Sequence, residues 1–242
     1  MGKSIDLILH AERGGHENMD LDRAALERAD QGHASLRIYR WDRPTVTLGK
    51  SQRPEDVSAL FPDLPTVPRP TGGGAVLHGF DVTVALAMPL EMLGVAPRAL
   101  HETYTRLVTP LARALTACGL PCHLAEEGSQ GIGLDCFASA GRTDLIHRET
   151  GKKVAGCALA ATRSAALLHV SIPVVSPPEW LRLDSTTATH YSNPTWRSEW
   201  FAQAFPAALR ETYPVSLKTL DPALPPLERA KMILWHEVDL LR

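Results

Sequence analysis

The chain has 242 residues, of which 44% are hydrophobic, so it is long enough to bury a large core. Its 25 Lys and Arg residues nearly balance 27 Asp and Glu residues, which leaves a net charge of -2. This balance excludes a global field that would recruit nucleic acid or an acidic membrane, so we expect neither as a partner. No apolar run reaches the roughly 18 residues of a membrane span. Four cysteines are too few for a disulfide framework, so we expect a cytoplasmic protein.

Hydrophobic periodicity predicts groups of strands separated by helices. Strands are predicted over 5–9, 35–41, 45–49, 76–78, 82–88, 121–125, 143–147, 153–162 and 165–175. Helices are predicted over 18–29, 54–60, 99–118, 196–213 and 227–241. Apolar and charged residues alternate over 35–41, which indicates a half-buried strand, and the short turn after it predicts antiparallel pairing with 45–49.

Strands paired through short turns, with helices inserted between groups of strands, indicate an α+β fold. We predict a mixed, largely antiparallel β-sheet flanked by helices. Neither a dinucleotide-binding glycine fingerprint nor a Walker loop is present in the sequence. We expect one catalytic domain over residues 1–242, with residues 176–242 as a helical C-terminal extension.

Three consecutive glycines stand between a polar turn and an apolar strand in the segment 69–78, Arg-Pro-Thr-Gly-Gly-Gly-Ala-Val-Leu-His. Glycine adopts positive φ without strain and lets a ligand approach the backbone, but each glycine weakens an unliganded loop through its entropy. Three in a row exceed what a tight turn requires. The segment is therefore predicted to be a ligand-binding loop whose N–H groups face an anion.

A second segment, Gly151 to Ala158, places a lysine on a strand among small residues. Side chains alternate along a strand, so only one of Lys152 and Lys153 can enter a site, and the other would be a solvated lysine at a hairpin. A fixed ammonium beside backbone N–H donors would stabilise negative charge that develops on an acyl oxygen. We predict that the two segments form one site.

These motifs together resemble the biotin/lipoate protein ligase superfamily, in the branch of lipoate–protein ligases and cysteine-dependent octanoyltransferases. The supporting segments, in chain order, are 41–52, 69–78, 141–145, 151–156 and 169–173. The chain departs from the family pattern at Pro68, where an arginine is usual, and at Val170, where a glycine is usual. Cys157 replaces a more common serine.

The resemblance implies that Lys153 is the catalytic lysine and that Asp144 orients it. Substrate-binding positions carried over from the family are Arg69, Thr71, Gly72, Gly73, Gly74, Ala75, His78, Asp144, Gly156 and His169. Other roles stay open for the two histidines, because His78 could fix the loop and His169 could be a core residue. No metal is expected, since the spacing of Cys118, Cys122, His123 and Cys136 lacks a paired zinc-binding motif.

Cys136 decides between subclasses, because similar octanoyltransferases carry their nucleophile near this position, also in a Cys-Phe pair. A thiolate there could take octanoate from the thioester of acyl carrier protein and pass it to a lysine of a lipoyl domain, without ATP. Lipoyl domains belong to 2-oxoacid dehydrogenase subunits or to the glycine cleavage H protein. The chain after Val175 also leaves little room for the accessory domain that ligases often carry.

Two alternatives remain at this point. The first is an ATP-dependent lipoate–protein ligase, in which ATP and Mg²⁺ would form lipoyl-adenylate and Cys136 would be idle. The second is a non-catalytic binder of lipoyl domains, which Pro68 and Val170 alone favour. Cys118 and Cys157 fall at helix-end and strand positions and are interpreted as packing residues.

Overall fold

The computed structural model describes residues 3–58, 60–125, 144–175, 177 and 198–219. The strands among them are β1 (Ser4–Arg13), β2 (Ala34–Trp41), β3 (Thr45–Leu48), β4 (Thr66–Pro68), β5 (Val76–His78), β6 (Asp81–Pro89), β7 (Cys122–Leu124), β8 (Leu145–His147), β9 (Lys153–Ala161), β10 (Ala165–Pro173) and β11 (Ser216–Thr219). The helices are α1 (Gly15–Asp30), α2 (Pro54–Val57), α3 (Leu90–Leu93), α4 (Leu100–Ala117) and α5 (Ser198–Thr212).

Eight strands form the main sheet in the order β11-β1-β2-β6-β10-β9-β8-β7. The strand β1 runs parallel to β11 and to β2. Every other neighbouring pair is antiparallel. The predicted α+β fold with a mixed, largely antiparallel sheet is therefore confirmed.

A second sheet has the order β4-β3-β5, with β3 parallel to β4 and antiparallel to β5. The predicted antiparallel pairing of β2 with β3 is wrong. Both edges of β2 are already taken, by β1 on one side and β6 on the other. The turn at Asp42-Arg43-Pro44 therefore carries the chain out of the main sheet and starts a new one.

The main sheet is covered on both faces. The large apolar core includes side chains from the sheet, α4 and α5, and a second cluster contains α1 residues together with Tyr39, Leu167 and Val67. Because β2 lies in the middle of this sandwich, all eight of its residues are buried, including Arg37 and Arg40. The prediction that this strand is half-buried was wrong, since Arg37 pairs with buried Asp22 and Arg40 reaches Glu12 near the surface.

Helix α4 shows why its sequence predicted a helix so clearly. Leu107, Leu111 and Leu115 are fully buried at helical spacing. Helix α5 packs on α4, and its Phe201 and Phe205 rings stack with centroids 5.4 Å apart. Within the described ranges, no helix combines the length and apolarity needed to cross a membrane.

Candidate active site

The glycine loop connects β4 to β5 and crosses the end of β3 at very short range. Gly73 has φ +93°, a value that favours glycine. A Cβ atom built on Gly49 would lie 1.9 Å from the carbonyl oxygen of Gly73, so position 49 cannot hold a larger residue without moving the loop. By contrast, a Cβ atom on Gly72 would meet nothing within 4 Å.

Arg69 lies inside this loop and is only 6% exposed. A guanidinium has five N–H donors. Here Nε donates to Thr71 Oγ1 at 3.2 Å, and Nη1 donates to the carbonyl oxygen and Oγ1 of Thr47 at 3.0 and 3.1 Å. Nη2 donates to the carbonyl oxygens of Gly72 and Gly74 at 2.6 and 2.7 Å. All five donors therefore have acceptors within the protein.

The position of Arg69 determines which way one peptide of the loop points. In a planar trans peptide, the C=O and the following N–H point in opposite directions. Because the Gly72 carbonyl faces the guanidinium, the N–H of Gly73 faces away from it. That N–H makes no hydrogen bond with the residues the structure describes, so it is available to an external acceptor.

His78 is the last residue of β5, and several side chains contact its ring. Its Nδ1 lies 2.8 Å from Asp81 Oδ2 and its Nε2 lies 3.0 Å from Thr47 Oγ1. The Trp41 ring stacks on the imidazole, with centroids 4.2 Å apart and planes inclined by 17°. These contacts fix the ring in place; His78 also lines the cavity described below, so its role toward a ligand stays a prediction.

Asp81 is a buried carboxylate with several donors. Burial alone would raise the pKa of its carboxyl, but His78, Ser171 and Thr83 outweigh that effect and lower the pKa below its usual value. Ser171 Oγ and Thr83 Oγ1 donate to Oδ2 at 2.6 and 3.0 Å. The group is therefore ionised at neutral pH.

His169 connects the main sheet to the glycine loop. It lies on β10, only 7% exposed, and its Nδ1 is 3.1 Å from Thr71 Oγ1. Its Nε2 is 3.0 Å from Asp22 Oδ2 on helix α1. The ring N–H is poorly aligned with that oxygen, so the contact is mainly electrostatic.

Asp22 is a residue of α1 and is fully buried. Its carboxylate pairs with Arg37 and accepts a hydrogen bond from the Tyr39 hydroxyl at 2.6 Å. Burial would raise its pKa, but His169, Arg37 and Tyr39 together lower it. No motif singled out Asp22 in the sequence; the available signal was an acidic residue on the apolar side of the predicted helix.

Lys153 is the first residue of β9 and is 1% exposed, whereas Lys152 is exposed. Its Nζ lies 2.8 Å from Asp144 Oδ2. The other carboxylate oxygen of Asp144 accepts a hydrogen bond from the backbone N–H of Cys157 at 3.2 Å. Asp144 therefore links Lys153 to the strand that carries it, and its role in orienting the lysine for catalysis stays a prediction.

A β-bulge determines which way Lys153 points. Leu145 pairs with Ala155, but the next residue of β8, Ile146, pairs with Lys153. A move of one residue along β8 therefore corresponds to two residues along β9, and Val154 is the extra residue of the bulge. Val154 and Ala155 both lie in the large core. Without the bulge Lys153 would share that apolar face; with it, the side chain turns to the opposite face.

A small cavity of about 30 Å³ lies between the two sheets. Arg69 of the glycine loop and His78 of β5 line it on one side, and Gly156, Cys157 and His169 line it from the main sheet. Lys153 is not among its lining residues, although Gly156 is only three residues further along β9, or about 10 Å. The structure thus brings the two motifs to one region, and direct convergence of Lys153 on the loop stays a prediction.

Cys136 lies outside the described residues, as do residues 141–143 of the motif that precedes Asp144. The three cysteines that the structure describes, Cys118, Cys122 and Cys157, are all buried. Burial raises the pKa of Cys122 to about 12. Within the described ranges, no three His, Cys, Asp or Glu side chains form a cluster that could hold a metal.

The fold and the glycine loop together define a lipoate–protein ligase type of catalytic domain. A crystal structure of lipoate–protein ligase A bound with ATP matches with a TM-score of 0.69 and 20% identity, covering 94% of this chain and 93% of that one. A putative lipoate protein ligase from T. acidophilum matches with a TM-score of 0.68, 21% identity and the same coverage. At these identities the likeness shows the fold.

Sequence comparison identifies the family. The chain belongs to the family of lipoyl protein ligase A/B catalytic domains, whose model matches residues 15–185. The resemblance predicted from the motifs is therefore confirmed.

Curated relatives include two octanoyltransferases named LipM. The protein from Kyrpidia tusciae is 34% identical over 188 residues, covering 72% of this chain and 68% of its own length. The protein from Carboxydothermus hydrogenoformans is 32% identical over 174 residues, covering 69% of this chain and 64% of its own length. The alignments thus span about two thirds of these relatives.

Proposed function

We propose that this protein is an acyltransferase of protein lipoylation, which moves octanoyl from acyl carrier protein to a lysine of a lipoyl domain. The observation that carries the proposal is the set of relatives at 30–34% identity that are octanoyltransferases. The sequence adds Cys136, which lies near the position where similar transferases carry a nucleophile. The likeness to ATP-bound ligase concerns the fold, so it does not favour ligation.

The reaction has two steps with Cys136 as nucleophile. Its thiolate attacks the octanoyl thioester carbonyl, and the tetrahedral intermediate collapses to octanoyl-Cys136 and the free carrier thiol. The lysine amine of the lipoyl domain then attacks the new thioester, forms the amide, loses a proton and releases Cys136. Thioester exchange is nearly isoenergetic and amide formation from a thioester is favourable, so neither step requires ATP or Mg²⁺.

The described residues supply the electrostatic part of this scheme. Negative charge develops on the acyl oxygen in both steps, and preorganised donors stabilise it best where water is excluded. Lys153 is a buried ammonium held by Asp144, and the N–H of Gly73 is turned outward from the glycine loop. We assign these two groups to the acyl oxygen. Lipoyl domains of 2-oxoacid dehydrogenase subunits or of the glycine cleavage H protein are the proposed acceptors.

The test incubates the protein with octanoyl carrier protein and apo lipoyl domain, with and without ATP, and follows intact mass. We expect ATP-independent transfer and an octanoyl adduct on Cys136, both lost in Cys136→Ala. Cys122→Ala is the matched control and should keep both, because burial holds the pKa of that thiol at about 12. Strict ATP dependence that tolerates Cys136→Ala would indicate a ligase, and no transfer in either arm would indicate a binder.

A further inference from the structure

Three buried side chains form a first relay, Asp22–His169–Thr71. Nε2 of His169 lies 3.0 Å from the Asp22 carboxylate, and a lone pair that close to a negative charge would be repelled, so a neutral His169 carries its proton on Nε2. Its Nδ1 is then an acceptor. The Thr71 hydroxyl, 3.1 Å away, donates to it.

A second relay, Asp81–His78–Thr47, has the same order of groups but uses the other ring nitrogens. Nδ1 of His78 faces Asp81 at 2.8 Å and carries the proton of a neutral ring. Nε2 is then the acceptor for the Thr47 hydroxyl at 3.0 Å. The two histidines are thus required to adopt opposite tautomers.

Both relays end on the same guanidinium. Each threonine hydroxyl uses its one O–H to donate to a histidine, so its oxygen remains available only as an acceptor. Arg69 fills both positions, with Nε on Thr71 and Nη1 on Thr47. Its remaining donors hold the carbonyl oxygens of Thr47, Gly72 and Gly74.

We propose that the two relays orient Arg69 against the glycine loop, and that Asp22 and Asp81 are therefore positioning residues of the active site. They act through His169 and His78, and their effect at the site is to keep the N–H of Gly73 turned outward. Their predicted effect on catalysis rests on the proposed octanoyl transfer. The hydrogen-bond pattern of the relays, with the tautomer of each histidine, does not depend on it.

The predicted tautomers are tested by NMR of the full chain labelled with ¹⁵N-histidine, at pH 8. The ¹⁵N signals of each ring show which nitrogen carries the proton. We expect the Nε2–H form for His169 and the Nδ1–H form for His78, assigned from the signals that His169→Gln and His78→Gln remove. Asp22→Asn should alter the tautomer signature of His169 and leave that of His78 unchanged. The reverse tautomers, or rings protonated on both nitrogens, would overturn the proposal even if the protein transfers no octanoyl.

The positioning role is tested by a double-mutant cycle on kcat/KM. Thr71→Val should lower kcat/KM about tenfold in the wild-type background but less than about threefold once Asp22→Asn has broken the relay. Tyr39→Phe is the matched control, because it removes the hydrogen bond that the Tyr39 hydroxyl donates to the same Asp22 oxygen and leaves His169 in place. In that background Thr71→Val should keep its full effect.

Asp22 also pairs with buried Arg37, so Asp22→Asn will destabilise the fold and assays are run well below its Tm. If that variant does not fold, a double-mutant cycle of Asp81→Asn with Thr47→Val tests the second relay. There the effect of Thr47→Val on kcat/KM should shrink once Asp81→Asn is present. Additive losses in a cycle, with no change in the Thr→Val effect, would mean that the carboxylates serve only stability. That outcome would overturn the positioning role whatever the tautomers are.

Discussion

Lys153 is a cation that the fold keeps out of water. Burying an ammonium is costly unless a carboxylate pairs with it, and Asp144 does so at 2.8 Å. Lys152, its neighbour, is exposed. Two adjacent lysines of identical chemistry therefore have different environments, and only the buried one is held in a fixed position.

We predict that Lys153→Ala lowers octanoyl transfer by roughly 100-fold or more, because it removes a preorganised charge from the acyl oxygen. Single-turnover rates of octanoyl loss from the carrier protein measure this. Lys152→Ala is the matched control and should stay within about twofold of wild type. Equal losses in the two variants would contradict the assignment of the acyl oxygen to Lys153.

Arg69 was predicted to contact substrate, and that role stays a prediction. In the structure its five donors contact Thr47, Thr71, Gly72 and Gly74. These contacts fix the position of Arg69 against the loop. The same holds for Thr71, which is fully buried between Arg69 and His169.

At the level of elements, the chain just after β3 and the glycine loop can cross closely only because the residues at the crossing, Gly49 and Gly73, have no side chains. Lys50 N donates to the Thr71 carbonyl at 3.0 Å, and Arg69 N donates to the Leu48 carbonyl at 2.9 Å. These backbone bonds hold the loop against the strand. The contact between Gly49 and Gly73 is then too close for a side chain.

We predict that Gly49→Ala costs about 1–3 kcal/mol in the free energy of unfolding, because its Cβ would overlap a backbone oxygen that the loop cannot easily move. Chemical denaturation measures this cost. Gly72→Ala is the control within the same loop and should cost less than about 1 kcal/mol, since its Cβ meets open space. Comparable costs at the two positions would contradict the crossing geometry.

At the level of the whole molecule, the segment 198–219 belongs to the main core. Phe201 and Phe205 of α5 are fully buried in the large cluster, and β11 extends the sheet beside β1. Residues 176–242 were predicted as a helical extension; within this part of the chain the structure describes a helix and also an edge strand. The rest of the predicted extension, apart from residue 177, lies outside the described residues.

We predict that Phe205→Ala destabilises the entire protein by about 3–5 kcal/mol, because it opens a cavity in the shared core. Unfolding should remain a single transition when followed by both far-UV circular dichroism and tryptophan fluorescence. Gln203→Ala, at an exposed position on the same helix, is the control and should have almost no effect. Two separate transitions would show instead that α5 folds independently of the sheet.

The sequence by itself determined the family, the fold class and the segments that carry the site. Gly72 to Gly74, the lysine strand and helix α4 could be recognised because their information is local: glycine freedom, strand alternation and helical periodicity act over a few residues. Strand alternation allowed only one of Lys152 and Lys153 to face a site, and the resemblance to the family selected Lys153.

Only the tertiary structure decided where the segments meet. Pairing partners of β2 are set by competition among strands far apart in the chain, so the separate sheet of β3 was missed. The burial of Arg37, the bulge at Val154 and the contact of Asp22 with His169 depend on which surfaces pack together. Such contacts leave no periodic signal, because the free energy that selects them comes from burial and charge pairing across the whole fold.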